Sequence, residues 1–163
     1  MLRPLFFIAA ALVIVLGLAS IDTPIAATEP VTLTGDGIVR VKSAYPLAET
    51  IDRLKADIAA KGIQFFDQID QQALAAAAGI ELRPSTLLIF GNPPLGTLFI
   101  TAKAEAGLDW PVRLLVTQDA SGQVWAIYTD FAWIEARHGI KDRAAEFAKA
   151  SEVIASITSS VTQ

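Results

Sequence analysis

Apolar and polar positions divide the chain into short strands and medium-length helices that interleave. After a turn signal at Thr34-Gly35-Asp36-Gly37, the residues Ile38, Val39 and Val41 lead into Ser43 and predict a strand. Pro46 then opens a helix in which Leu47, Ile51, Leu54 and Ile58 recur at spacings of four, three and four, so that one face is apolar. Glu49 falls in its first turn, Lys61 in its last, and Gly62 is placed to close it. Residues 63–69, carrying Phe65 and Phe66, read as the next strand. Asp70 is placed to cap an alanine-rich helix over residues 71–78 that Gly79 stops, and Glu81-Leu82-Arg83-Pro84 links it to the centre of the chain.

There the apolar run of residues 86–90 is too short for a helix and predicts a buried strand. Gly91-Asn92-Pro93-Pro94 ends it, and a proline early in the following segment suits the first turn of a helix. Leu95, Leu98, Phe99 and Ala102 share a face of that helix, which Gly107 is expected to end. Asp109-Trp110-Pro111 makes a second corner. Residues 112–117 and 123–129 alternate as the arms of a hairpin around Asp119-Ala120-Ser121-Gly122. Asp130 is placed to cap a helix from Phe131 to Arg137, ended by Gly139. A last helix over residues 141–158 aligns Phe147, Ile154, Ile157 and Val161, and the final five residues are expected to fray. Helices interleave with strands and the hairpin is antiparallel, so the pattern predicts an α+β domain with helices on one face of the sheet.

The N-terminus changes this picture. Arg3 precedes residues 5–19, fifteen positions without a polar side chain, which is the layout of a secretory signal peptide. Small residues offer cleavage after Ala27, or alternatively after Ala19. The expected organisation is therefore a signal peptide over residues 1–27, a linker or short strand over 28–36 and one domain over 37–163. Export to the periplasm or cell envelope follows from this; the alternative is an uncleaved anchor through residues 5–21, the only expected contact with membrane. A net charge of −4 argues against nucleic acid, which asks for a basic patch. The absence of cysteine removes disulfides, thiol nucleophiles and thiolate metal sites.

Candidate chemistry is sparse. His138 is the only histidine, and as a base or ligand it would draw on Asp109, Tyr128 or Asp130; its other use is at a helix end, where Arg137-His138 offsets the dipole. One histidine cannot make a structural zinc site and the acidic residues lack ligand-like spacing, so neither metal nor cofactor is expected. The Asn92 corner could offer backbone N–H groups to an anion, but Pro93 and Pro94 remove two donors, and turn geometry explains the motif. Arg113 and Asp130 are placed to form an ion pair or to clasp a carboxylate. Trp110, Trp125 and Trp133 read as core or dimer contacts. No Gly-x-Ser-x-Gly elbow or Ser-His-Asp order is present.

Several short motifs in order carry a resemblance: Ile80-Glu81-Leu82-Arg83-Pro84, Leu88-Ile89-Phe90-Gly91-Asn92-Pro93, Gly96-Thr97, Gly107-Leu108-Asp109 with Pro111 and Arg113, Val124-Trp125, Tyr128, Asp130 and Arg137-His138-Gly139. Over these the chain resembles the bacterial and archaeal family called domain of unknown function 302. The resemblance implies an antiparallel sheet carrying helices, similar to the TATA-binding-protein fold class, often as a homodimer, and implies no activity. The chain departs from it at Gln71, where family members often have histidine, and at Phe131, where they usually have proline. The combined expectation is an exported binding or interaction module. The alternative is a small-ligand carrier or enzyme with a site among Asn92, Asp109, Arg113, Tyr128, Asp130 and His138.

Overall fold

The strands β1 (Thr32–Leu33), β2 (Ile38–Lys42), β3 (Gln64–Asp70), β4 (Ser85–Gly91), β5 (Val112–Gln118) and β6 (Val124–Thr129) build one sheet in the computed structural model, which describes residues 32–162. The expected signal peptide and residues 28–31 of the expected linker lie outside the described residues. The strand order is β1-β2-β6-β5-β4-β3 and every pairing is antiparallel. Among the described residues the helices are α1 (Leu47–Ala60), α2 (Gln71–Ala77), α3 (Pro93–Ala102), α4 (Phe131–His138) and α5 (Ala144–Ser159).

The spacing seen in the sequence decides what α1 buries: Ile51, Leu54 and Ile58 point into the core, the last two with no exposure at all. From α5, Phe147, Ala150, Ile154 and Ile157 complete the helical side, and Phe147 stacks on Phe99 of α3 at 4.1 Å between ring centres. The sheet answers with Leu88 and Phe90, Leu114 and Val116, and Ala126 and Tyr128, every second residue of β4, β5 and β6. The intervening residues face away from the helices. Leu87 pairs with Leu115 and Leu115 with Ile127, making an apolar row across three adjacent strands, with Ile89 and Trp125 beside it. These five side chains are half-buried, and none belongs to the core under the helices.

Several expectations are corrected. The single helix ended by Gly107 breaks instead at Ala102, and a separate 3₁₀ turn covers Ala104–Leu108. In α3, Phe99 is buried while Leu98 is 37% exposed, because a short helix resting on one neighbour buries a narrower stripe. A register shift in β3 between Phe65 and Asp67 leaves Phe66 outside the ladder and exposed. The last helix begins at Ala144, three residues later than the pattern predicts. Its tail does not fray up to Thr162: Val161 is fully buried and its carbonyl accepts from the Ala44 N–H at 2.8 Å. Beneath it, the Ser43 and Thr50 hydroxyls bond each other at 2.6 Å, so these buried polar groups satisfy one another.

The hairpin loop is organised by Asp119. Its carboxylate accepts from the Ser121 hydroxyl and N–H, from the Gln123 N–H and from the Trp125 indole at 2.8 Å. These donors, the Ser121 hydroxyl foremost, hold its carboxyl at about 2, below the ordinary aspartate range. A carboxyl depressed in the folded state contributes stability above its unfolded value, and that contribution disappears as pH falls through about 2. Urea midpoints measured from pH 4 down to pH 2 should fall less steeply for Asp119→Asn than for the parent chain. Identical acid limbs would remove Asp119 from this account.

Candidate functional site

Asp109 gathers the charged residues at one end of the sheet. It follows the 3₁₀ turn at the corner into β5, and its side chain is only 6% exposed. One carboxylate oxygen lies 2.6 Å from Nε2 of His138, itself 6% exposed. A terminal nitrogen of Arg137 reaches both oxygens at 3.1 Å. A terminal nitrogen of Arg113 stands 3.4 Å away and donates more closely, at 2.6 Å, to the Leu108 carbonyl. A carboxylate removed from water requires such partners, and here two guanidinium groups and an imidazole provide them. The two arginines keep about half of their side-chain surface exposed, 51% for Arg113 and 44% for Arg137.

Local rules position each member. Asp130 caps α4 by accepting from the Ala132 N–H, and Gly139 ends the helix with a left-handed φ of 64°. That fixes Arg137 and His138 in the last turn, where positive charge opposes the dipole and both can reach back to Asp109. Arg137 also lies over the Trp133 ring, one turn earlier, at 5.5 Å. Trp133 in turn rests on Gly37, where a β-carbon would come within 2.2 Å of its ring.

The six residues singled out in the sequence fall in four places. Asp109, Arg113 and His138 meet. Asn92 caps α3 by accepting from the Leu95 N–H at 3.3 Å. Tyr128 is buried on the helical side of the sheet, where burial pushes its phenol up and the Thr158 hydroxyl moderates the shift. The expected ion pair between Arg113 and Asp130 does not form. Arg113 turns to Leu108 and Asp109 within its own corner, and Asp130 spends its carboxylate on the N-terminus of α4. Arg137 was not expected as a partner of Asp109. Its only sequence signal was its place beside His138.

Trp110 closes the neighbouring corner. A β-carbon on Gly96 would lie 1.9 Å from the indole nitrogen and one on Gly91 3.0 Å, so the ring packs directly on backbone. Phe66 meets the same ring edge-on at 6.1 Å. The apolar cleft at the Asn92 corner, lined by Leu95, Gly96, Phe99 and Trp110 among others, encloses about 40 Å³. The cleft beside Asp109, Arg113 and Thr129 encloses about 20 Å³. Val112 and Phe131 form walls of both, so the Asn92 corner and the Asp109 cluster do not share one concave pocket. A broad open groove of about 730 Å³ lies at the opposite ends of β4 and β5, between Leu82, Arg83 and Ser85 on one side and Thr117 and Gln118 on the other.

A carboxylate holding an imidazole resembles the orienting half of a base-catalysed site. Among the described residues, however, His138 has no hydrogen-bonded serine or threonine hydroxyl to activate, and no group of three metal-ligating side chains occurs. As built, the cluster is a fastening between the end of α4 and the corner before β5.

Comparison with known proteins agrees with this fold. The family model described as "Domain of unknown function DUF302" matches residues 39–158. The chain belongs to the DUF302 family. The crystal structure of an uncharacterized conserved DUF302 protein from Bacillus stearothermophilus superposes with a TM-score of 0.70 at 17% identity, covering 77% of this chain and 98% of that one. That likeness supports the α+β architecture of this DUF302 chain. Two proteins named fluoride-specific ion channel FluC 1, from Brucella suis biovar 1 (strain 1330) and Brucella abortus biovar 1 (strain 9-941), are each 40% identical to it over 109 residues. The matched stretch is 67% of this chain but only 43% and 40% of theirs, so more than half of each channel protein lies outside it.

Removing the hub carboxylate should loosen the corner. Asp109→Ala leaves a buried imidazole without its partner and should cost about 1–3 kcal/mol in urea unfolding. Asp109→Asn, which keeps an acceptor oxygen, should cost less. Equal stability of Asp109→Ala and the parent chain would refute the fastening role.

Proposed function

We propose that this DUF302 domain is an exported interaction module that works through the uncovered face of its sheet. One observation carries the reading: Leu87, Leu115 and Ile127 form an apolar row, flanked by Ile89 and Trp125, on the face that carries no core helix. A contiguous apolar surface of a few hundred Å² on a soluble domain marks a place where another molecule sits. The carrier or enzyme reading is less well supported. Its expected pocket is divided by Val112 and Phe131, and clefts of about 40 and 20 Å³ fall far below the ~300 Å³ or more of usual small-molecule sites. The channel activity named for the Brucella proteins is not proposed for this chain, which matches less than half of them.

Export rests on the sequence of residues 1–27. Alkaline phosphatase fused after residue 40 should be active in a bacterial host, and an inactive fusion would overturn export. For the interaction reading, a photo-activated cross-linking residue placed at Ile127 should yield a discrete protein adduct in cells, whereas the same residue at Ala148, exposed on α5, should not. Native mass spectrometry of the purified chain should show no small molecule lost on denaturation. A retained small molecule together with no adduct at Ile127 would favour the carrier or enzyme.

A further inference from the structure

Resting on the interaction-module reading, we propose that the open groove beside Glu81-Leu82-Arg83 holds a short extended peptide of a partner protein, in which an apolar residue stands between an acidic and a basic one. The segment that forms one wall of this groove does little for the fold. Ile80 is 62% exposed and Leu82 42%, and Glu81 and Arg83 are exposed as well. Only the Ile80 N–H is engaged, closing the end of α2 on the Ala75 carbonyl at 2.9 Å.

Its backbone is laid out like a strand without a neighbour. Arg83 precedes Pro84, a position that favours extended backbone. The Pro84 carbonyl accepts from the Gln118 N–H and from the Thr117 hydroxyl, each at 3.1 Å, so the root of the segment continues β4 alongside β5. The hairpin turns away after Gln118. The N–H and carbonyl groups of Glu81, Leu82 and Arg83 then have no hydrogen-bond partner among the described residues. Consecutive unpaired main-chain groups beside a sheet are a template for strand addition. The outer edge of β3, by contrast, carries a bulge and exposed Asp67 and Asp70, features that discourage it.

Side chains define the peptide. A strand paired with this segment sets one residue opposite each of Glu81, Leu82 and Arg83. Neither Glu81 nor Arg83 has an ion-pair partner among the described residues, so a basic and an acidic residue two positions apart complete them. The residue between them meets Leu82 and is apolar. In the antiparallel direction shared by every pairing of this sheet, the order is acidic, apolar, basic. At about 730 Å³ the groove falls within the ~300–1,000 Å³ of ordinary ligand sites, unlike the clefts near Trp110 and Asp109. Ser85 and Thr117, paired across it, share a side of the sheet with Leu87 and Leu115, two residues further along. The groove therefore runs onto the apolar row, which receives the peptide's next apolar side chain.

The full chain, in the form recovered from the cell, should enrich the acidic–apolar–basic triplet from a displayed library of random linear peptides. Bound to saturation, a synthetic copy of the selected peptide should slow amide exchange at Leu82 or Arg83 by about tenfold or more. Leu82→Asp should weaken it by about tenfold. Arg83→Glu should weaken it by about threefold or more, and a peptide with lysine in place of its acidic residue should recover that loss. All of these positions are exposed, so the variants should keep the parent circular dichroism spectrum. No enriched peptide, or one that leaves residues 81–83 unprotected and binds Leu82→Asp as well as the parent chain, would overturn the proposal. A discrete protein adduct at Ile127 in cells, obtained alongside that failure, would leave the interaction-module reading standing.

Discussion

A single layer of helices can cover only one side of a sheet, and successive residues of a strand point to opposite sides. That constraint governs this domain. Leu88, Leu114, Val116 and Ala126 are fully buried because α1 and α5 lie over them. Leu87, Leu115 and Ile127, one residue away in each strand, have no such cover from the core helices and are still large and apolar. A face meant only for water would show the polar alternation of a half-solvated antiparallel sheet. The pleat itself therefore separates the apolar row from the core, and the charges of the open face, Arg40, Lys42, Asp67 and Arg113, lie around that row.

One end of the sheet is held by two close-packed corners of different chemistry. One is steric: Trp110 lies on the backbone at Gly91 and Gly96, so that α3 can leave β4 sharply and still cover the core with Phe99. The other is electrostatic: Asp109, the preceding residue, ties His138 and Arg137 at the end of α4 to the start of β5. Adjacent residues thus anchor two helices. Histidine, aspartate and arginine brought together in a family without assigned activity invite a catalytic reading, yet here the Asp109 carboxylate is taken up in holding Nε2 of His138 and the two arginines within the fold.

Local signals were legible and long-range ones were not. The apolar spacing of α1, the caps at Asp70 and Asp130, and the glycine-bearing hairpin loop each act within a few residues, and each forms as the pattern predicts. In the short α3, Leu98 and Phe99 both satisfy helical spacing, and only the position of Phe147 decides between them. The bulge at Phe66 depends on pairing with β4, which periodicity does not contain. Asp109 and His138 stand 29 positions apart, and sequence could nominate but not choose between Asp109 and Asp130. The family resemblance located the residues that meet at the site without assigning their contacts.

The docking of Val161 has a consequence for how the molecule is made. Its side chain fills space beside the Ser43–Thr50 hydroxyl pair, at the junction of β2 and α1, and its carbonyl completes the backbone bonding of Ala44. Residues from opposite ends of the described chain are therefore needed together to seal one corner of the core. A polypeptide that stops short of Val161 leaves this corner of the core unsealed. Under the export proposed above, late closure of this corner would keep the chain threadable through a narrow translocation channel.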